Sequence, residues 1–294
     1  MKYTSITILY NPNSTGSSHE LAKTFKASIT KRLPSQKVDL TPTKHPGHGE
    51  ELAYSLAKSS KNPLIISSSG DGGYHEVVNG AMKAQREGHT PTTGLLPAGN
   101  ANDHYHNLHS DDLVDLIVRG ERTQIDLLKI KSTSKGKPIE RYGHSYIGFG
   151  LTPIVGKELN KNKLNIFNQV WIVAKALLAL KSVKLNINNK VRSYDSIVFS
   201  NVDRMSKVLK ISQPSSVNDG KFEVTIFRSR SKLKLILQLF KTSIIAAKED
   251  HQVDSYTLKT VDATLVQVDG EIISLDPTSE VRVTIEKQIL HCIV

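Results

Sequence analysis

A fully apolar run, PLIISSS (63–69), stops at three glycines wrapped around one aspartate, Gly70-Asp71-Gly72-Gly73, and a helical pattern, YHEVVNGAMKAQ, leaves them. A strand that feeds such a turn and then a helix aims free backbone N–H groups, together with the positive helix end, at one point. A phosphate suits that point. Glycine permits close backbone approach and positive φ. The segment is not a Walker A loop, because no Lys-Ser/Thr follows, and no G-x-G-x-x-G is present. Asp71 sits awkwardly beside phosphate unless a divalent ion or a proton donor intervenes. Its open roles are Mg2+ organisation, base chemistry, or plain bracing of the turn.

The flanking chain sets this turn in a pattern. SITILYN reads as a strand, and Ser17 or Ser18 caps a helix in which Leu21, Phe25, Ile29 and Leu33 recur. QKVDL is a short strand, and after HPGHG a helix presents Leu52, Ala53 and Leu56. A helix from Tyr74 to about Arg86, a strand TTGLLPAG, and a helix capped by Ser110 and stopped by Gly120 complete the series. Strands alternating with helices imply right-handed crossovers and a parallel sheet. Beyond TQIDLLKIKS the texture becomes β-rich, with turns such as Asn218-Asp219-Gly220, which suggests an antiparallel sandwich or barrel. The expected division is therefore an α/β domain over 1–124 and a mainly β domain over 125–294, with the final residues able to return to the first. Two helices are expected within the second, over 162–184 and 232–248.

Two further strand-to-helix loops, YNPNSTGSS (10–18) and LLPAGNAND (95–103), have the same polar, turn-forming make-up. Open α/β sheets bind ligands at the carboxyl ends of their strands, so three such loops point to one site. The 39 Lys and Arg against 28 Asp and Glu give a net charge of +11. That excess favours polyanions, whether nucleic acid, anionic lipid or a phosphorylated small ligand, yet no nucleic-acid-binding motif is present. One cysteine, Cys292, excludes an internal disulfide framework and fits a reducing cytoplasm. The eleven histidines give no metal signature: HEVVNG lacks the second histidine of H-E-x-x-H, and His104 and His106 lack a third ligand.

The loops, in their order, resemble the diacylglycerol kinase catalytic-domain family, which includes bacterial lipid kinases and sphingosine kinases. NPNSTG matches its N-P-x-S-G loop with Thr15 inserted, SGDGGYHEVVNG its G-G-D-G-T-x-x-E-V-x-N-G signature, and PAGNAND its P-x-G-T-x-N-D loop. VDGE (268–271) matches its D-G-E, and NDGKFEV a metal-associated segment. The resemblance implies a nucleotide-binding α/β domain, a β-sandwich domain and an active site in the cleft between them. It implies that Asn11, Pro12, Asn13, Ser14, Thr43, Gly70, Asp71, Gly72, Gly73, Tyr74, His75, Glu76 and Asn100 contact ATP. The general base maps first onto Glu271 and second onto Asp71. Asp219, with backbone oxygens near Ser216 and Lys221, matches a structural Mg2+ position, and Asp126 an aspartate tying such a network to the site. Three positions depart from the pattern: Ser69 replaces a glycine, Gly73 a threonine and Asn100 a threonine.

The activity so implied is ATP-dependent transfer of a phosphoryl group to a lipid such as diacylglycerol, at a membrane surface, by a cytoplasmic, peripherally membrane-associated protein. A homodimer is reasonable by family precedent. Residues 231–248 mix lysines with apolar side chains and suit either a membrane interface or packing on the sandwich. The 162–184 helix, with Phe167, Trp171, Leu177 and Leu178, suits either shelter for an acyl chain or ordinary core packing. Sphingoid bases or other lipid alcohols, soluble substrates as in NAD kinases, and a non-catalytic pseudokinase stay open. Glu76 and Asn79, three residues apart, share a helix face and could orient the loop or a metal-bound water.

Overall fold

The computed structural model describes residues 3–14, 17–99, 101–108, 111–154, 182–202, 204–205, 209–210, 216–228 and 250–294. They form two compact units. The first takes residues 1–125 together with 288–294, and the second residues 126–287. The helices expected over 162–184 and 232–248 lie outside the described residues, apart from Ser182, which is irregular, and Val183 and Lys184, which are strand.

In the first unit the order is β1 (Ser5–Tyr10), α1 (Ser18–Arg32), β2 (Val38–Pro42), α2 (His48–Ser59), β3 (Pro63–Ser69), α3 (Asp71–Gln85), β4 (Thr92–Pro97), α4 (Asp103–Leu108) and α5 (Leu113–Arg119). The strands pair in parallel in the order β2-β1-β3-β4. β3 lies between two neighbours with all seven residues buried, which is why its sequence is unbroken by charge. On one face, Ile6, Ile8, Leu64 and Ile66 meet Ala22, Phe25 and Ile29 of α1 and Leu113 of α5. Each such side chain contributes roughly 1.5–3 kcal/mol on full burial.

Two helix starts differ from the sequence reading. α3 begins at Asp71, so Asp71, Gly72 and Gly73 are its first turn rather than a bend preceding it. α5 is capped by Asp112, whose side chain accepts from the N–H groups of Val114 and Asp115 at 2.8 and 3.1 Å. Ser110, the expected cap, lies outside the described residues. Gly120 ends this helix at φ 70°, a conformation that favours glycine.

β5 (Thr123–Ser134) carries the chain into the second unit, followed by β6 (Lys137–Gly143), β7 (Tyr146–Gly150), β8 (Val183–Ile187), β9 (Lys190–Tyr194), β10 (Ser196–Ser200), a ribbon of β11 (Arg204–Met205) and β12 (Leu209–Lys210), β13 (Phe222–Phe227), β14 (Asp250–Val253), β15 (Ser255–Thr260), β16 (Thr264–Val268), β17 (Glu271–Leu275) and β18 (Glu280–Ile293). One antiparallel sheet runs β14-β13-β10-β7-β16-β17. A second is built from β6, β5, β18, β15, β8 and β9. Phe149, Phe199 and Val266 of the first pack with Leu258, Val281 and Val283 of the second in one core. Along β18, buried Val281 and Val283 alternate with exposed Glu280 and Arg282, the period of a strand with one covered face. β18 then leaves this unit, and Cys292 and Ile293 pair in parallel with Thr93 and Gly94 of β4.

Candidate active site

The strand order β2-β1-β3-β4 reverses direction between β1 and β3. The chain moves outward to β2 on one side and to β3 and β4 on the other, leaving a crevice beyond the carboxyl ends of β1 and β3. Ligands settle at such a switch point in open α/β sheets. The loop after β1 and the start of α3 flank it.

These segments are tied together by polar contacts. Ser18 Oγ accepts from Asn11 N–H at 3.2 Å and donates to the Ser68 carbonyl, while Ser68 Oγ donates to the Ser18 carbonyl at 2.8 Å. Asn11 Oδ1 accepts from Asn13 N–H at 2.9 Å, and Ser14 Oγ donates to the Ala98 carbonyl at 3.0 Å. Thr43 N–H donates to the Tyr10 carbonyl at 2.9 Å. Asn11, Pro12 and Asn13 are exposed. Asn102 makes a reciprocal pair with Gly99, 2.9 Å each way. The hydroxyls of Ser67 and Ser68 had no period or motif to single them out in the sequence, although S-S-S before a glycine is a visible excess of small polar residues at a strand end. Ser18 was read only as a helix cap, and Asn102 only as part of the PAGNAND match. Asn100 lies outside the described residues.

None of Gly70, Gly72 and Gly73 has positive φ, so the expected conformational freedom is not used. Close approach is used instead. A Cβ on Gly70 would stand 3.0 Å from Gly99 Cα, and one on Gly73 2.6 Å from both Cβ and Oγ of Ser69. The first-turn amides of a helix lack intrahelical acceptors, and exposed Gly72 sits there. Ser69 and Gly73, two of the three departures from the family pattern, are thus neighbours competing for one volume.

Asp71 is engaged on both oxygens. Oδ2 accepts from Asp103 N–H and Oδ1 from His104 N–H, each at 3.1 Å, which fastens α3 to the start of α4. Glu76 does the same for α2: Oε1 accepts from Gly47 N–H at 2.8 Å and Oε2 from Gly49 N–H at 2.9 Å. Asn79 donates back to the His75 carbonyl at 2.9 Å. Tyr74 and His75 are buried, and Tyr74 Oη pairs with Thr93 Oγ1 at 2.9 Å. Burial holds the Tyr74 phenol well above its ordinary pKa. Along 70–76, the glycines lie at the edge while the side chains of Tyr74 and His75 pack inward.

In the second unit, Asp269 and Gly270 form the β16–β17 turn at φ 44° and 101°, the two positive angles of a tight hairpin. Asp269 is fully buried, and its carboxylate accepts from the N–H groups of His144, Ser145 and Tyr146 at 2.5, 3.0 and 2.8 Å. The ring of buried His144 lies 3.5 Å from the same carboxylate. This pair was not legible beforehand beyond the D-G-E motif itself. The turn delivers Glu271 at the first position of β17, about one-third exposed and 3.2 Å from Arg141 Nε.

Asp126 is buried, and its Oδ2 accepts from Gly220 N–H at 2.6 Å, while its own N–H reaches the Val217 carbonyl at 2.8 Å. That carboxylate shapes the turn bearing Ser216, Asp219 and Lys221, which are exposed. Asp219 Oδ1 accepts from Lys221 N–H at 3.0 Å. A carboxylate and carbonyl oxygens are hard donors of the kind Mg2+ takes, and their exposure leaves room for the waters it retains. In kind, the residues fit the ion.

A family model for the diacylglycerol kinase catalytic domain matches residues 5–130. The matched stretch contains every loop just described in the first unit, and the likeness supports a phosphotransferase of the kinase type. A crystal structure described as a diacylglycerol kinase from Bacillus anthracis str. Sterne aligns over 100% of this chain and 97% of its own, with 16% identity and a TM-score of 0.73. Another from that strain, whose description assigns the activity provisionally, gives 17% identity and 0.74 over 100% and 98%. Yeast NADH kinase complexed with NADH aligns over 100% and 84%, with 11% identity and 0.52. These likenesses establish the fold, an α/β unit followed by antiparallel sheets. A search of curated protein sequences gives no match.

Proposed function

We propose that this kinase transfers the γ-phosphoryl group of ATP to the hydroxyl of a lipid such as diacylglycerol. The supporting observation is the set of loops of the catalytic domain gathered around the switch point of its sheet. Phosphoryl transfer asks mainly for positioning and charge neutralisation. The loops at 11–14, 43 and 70–73 take the nucleotide, with the backbone at the start of α3 directed to phosphate. Mg2+ offsets charge on the triphosphate, and Asp219 with the carbonyls of Ser216 and Lys221 would hold a structural ion. Glu271 takes the acceptor's hydroxyl proton as its oxygen bonds to the γ-phosphorus, and the bond from that phosphorus to the bridging oxygen breaks to release ADP.

Asp71 is the weaker candidate for the base. Both of its oxygens already accept backbone N–H groups, an arrangement suited to bracing the loops. A lipid acceptor requires a membrane surface, and the net charge of +11 favours an anionic one. Among the described residues no helix is long and apolar enough to cross a membrane; the attachment proposed is peripheral, from the cytoplasm.

Radiolabelled ATP is the direct test, offered with diacylglycerol, sphingosine or a total lipid extract in mixed micelles, and separately with NAD. Label in diacylglycerol, lost in Glu271→Gln with vesicle binding retained, is the expected result. Label in a sphingoid base moves the acceptor within the lipids. Label in NAD alone, the activity closest to the yeast NADH kinase likeness, overturns the lipid reading. No label in any acceptor overturns kinase activity itself.

A further inference from the structure

We propose that His45, His48 and Glu51 form a binding site for a transition-metal cation of the Zn2+ class, distinct from the Mg2+ positions above. One potential ligand atom from each lies within 4.8 Å of the other two. Around a tetrahedral Zn2+ such donors stand roughly 3.3 Å apart, given metal–ligand distances near 2.0–2.1 Å. Closing the gap takes about 1.5 Å of side-chain movement at exposed or half-exposed positions.

The backbone that carries them is already fastened. Glu76 accepts the N–H groups of Gly47 and Gly49, on either side of His48, and Gly47 makes the turn into α2 at φ 85°. His48 and Glu51 are the first and fourth residues of that helix and so share a face. The rings of His45 and His48 stand 4.9 Å apart. Besides Glu51, the carboxylates of Glu50 and Glu76 belong to this segment or touch it, against one lysine, Lys44.

The hydrogen bonds also fix which nitrogens carry the lone pairs. A carbonyl only accepts, so the 3.0 Å contact from His45 Nδ1 to the Pro46 oxygen places the proton on Nδ1 and leaves the lone pair on Nε2. A backbone carbonyl holding the distal N–H is the usual support of a ligating histidine. A backbone N–H only donates, so the 3.1 Å bond from Lys44 N–H to His48 Nδ1 leaves the His48 lone pair on Nδ1. A cation there displaces that N–H, so binding gives up this bond. Two imidazoles and one carboxylate suit Zn2+, Co2+, Ni2+ or Cu2+ and not Mg2+ or Ca2+. Three protein ligands leave a position for water.

The test is calorimetric titration of the full chain, free of any affinity tag and stripped with chelator, with ZnCl2 at pH 7.5. One Zn2+ per chain is expected, with His45→Ala and His48→Ala each weakening binding at least 30-fold and Glu51→Gln about tenfold, against the 10–100-fold range seen around metal sites. Circular dichroism of each variant checks that it is folded, and Co2+ should give visible ligand-field bands in the wild type that the His48 variant loses. Absence of saturable one-to-one binding overturns the proposal. So does equal binding by folded variants, which would place the cation on other histidines.

Discussion

Alanine or threonine at position 73 has no room while Ser69 keeps its side chain. The ideal Cβ of residue 73 falls 2.6 Å from Ser69 Cβ and Oγ, far inside van der Waals contact, and Ser69 is held in place by a 2.7 Å bond to Ser67 Oγ. Overpacking of this kind costs about 1–3 kcal/mol. Alanine in place of glycine in a helix returns at most about 1 kcal/mol. Gly73→Ala should therefore destabilise the kinase domain by roughly 1–2 kcal/mol. In a Ser69→Gly background the obstacle is gone, and the same change should stabilise by up to about 1 kcal/mol. The double-mutant cycle then yields a coupling of roughly 2–3 kcal/mol, at the upper end for residues in contact. Urea denaturation of the four proteins measures it. If the two changes add to within about 0.5 kcal/mol, as distant sites do, the steric exchange between these positions is wrong.

Three further outcomes are expected. Asp71→Asn keeps one acceptor but turns an amide N–H2 toward the second backbone donor, losing at least one charge-assisted bond of about 1.5–3 kcal/mol. The amides of Asp103 and His104 should exchange hydrogen about 30-fold faster, whereas unchanged exchange with a thousandfold fall in kcat would make Asp71 the base. Burial, with Arg122 adding to it, lowers the pKa of His291, and Gln124 Nε2 donates to His291 Nε2 at 3.2 Å, which requires the neutral ring. The unfolded chain therefore takes the proton more readily, and stability should fall as pH drops below about 6.5. Urea midpoints at pH 7.5 and 5.5 should diverge less in His291→Gln, and equal divergence would count against the assignment. Cys292 is fully buried with its thiol pushed up to about 12, so a disulfide reagent should modify it only after local or global opening. Labelling at the rate of an unfolded control in the native protein would contradict the parallel pairing of β18 with β4.

Strand and helix alternation was legible because each element of the first unit carries its own period: seven buried residues in β3, and Phe25 and Ile29 turned inward on α1. The switch to antiparallel sheets was legible from short alternating runs and turn residues. The roles of the carboxylates were not. Asp71 reads as a ligand or a base when only its glycine neighbours are visible, yet its partners lie 32 and 33 residues away on α4. Glu76 likewise grips amides nearly thirty residues earlier. A backbone N–H carries no side-chain signature, so a carboxylate that bonds one leaves no pattern in the sequence. The same holds for Asp269 and its three amides. Helix α3 was expected to start at Tyr74; it takes in Gly72 and Gly73 although glycine is a poor helix former, and the turn packs closely against Ser69 and Gly99.

The first unit is closed by residues made only after the whole of the second. Until 288–294 leave the ribosome, β4 has β3 on one side only, and its other edge is a bare row of amides and carbonyls of the kind that recruits foreign strands. The nascent α/β unit must wait through the synthesis of the whole second unit before its own final strand arrives. That interval is the first unit's period of greatest exposure to misassociation.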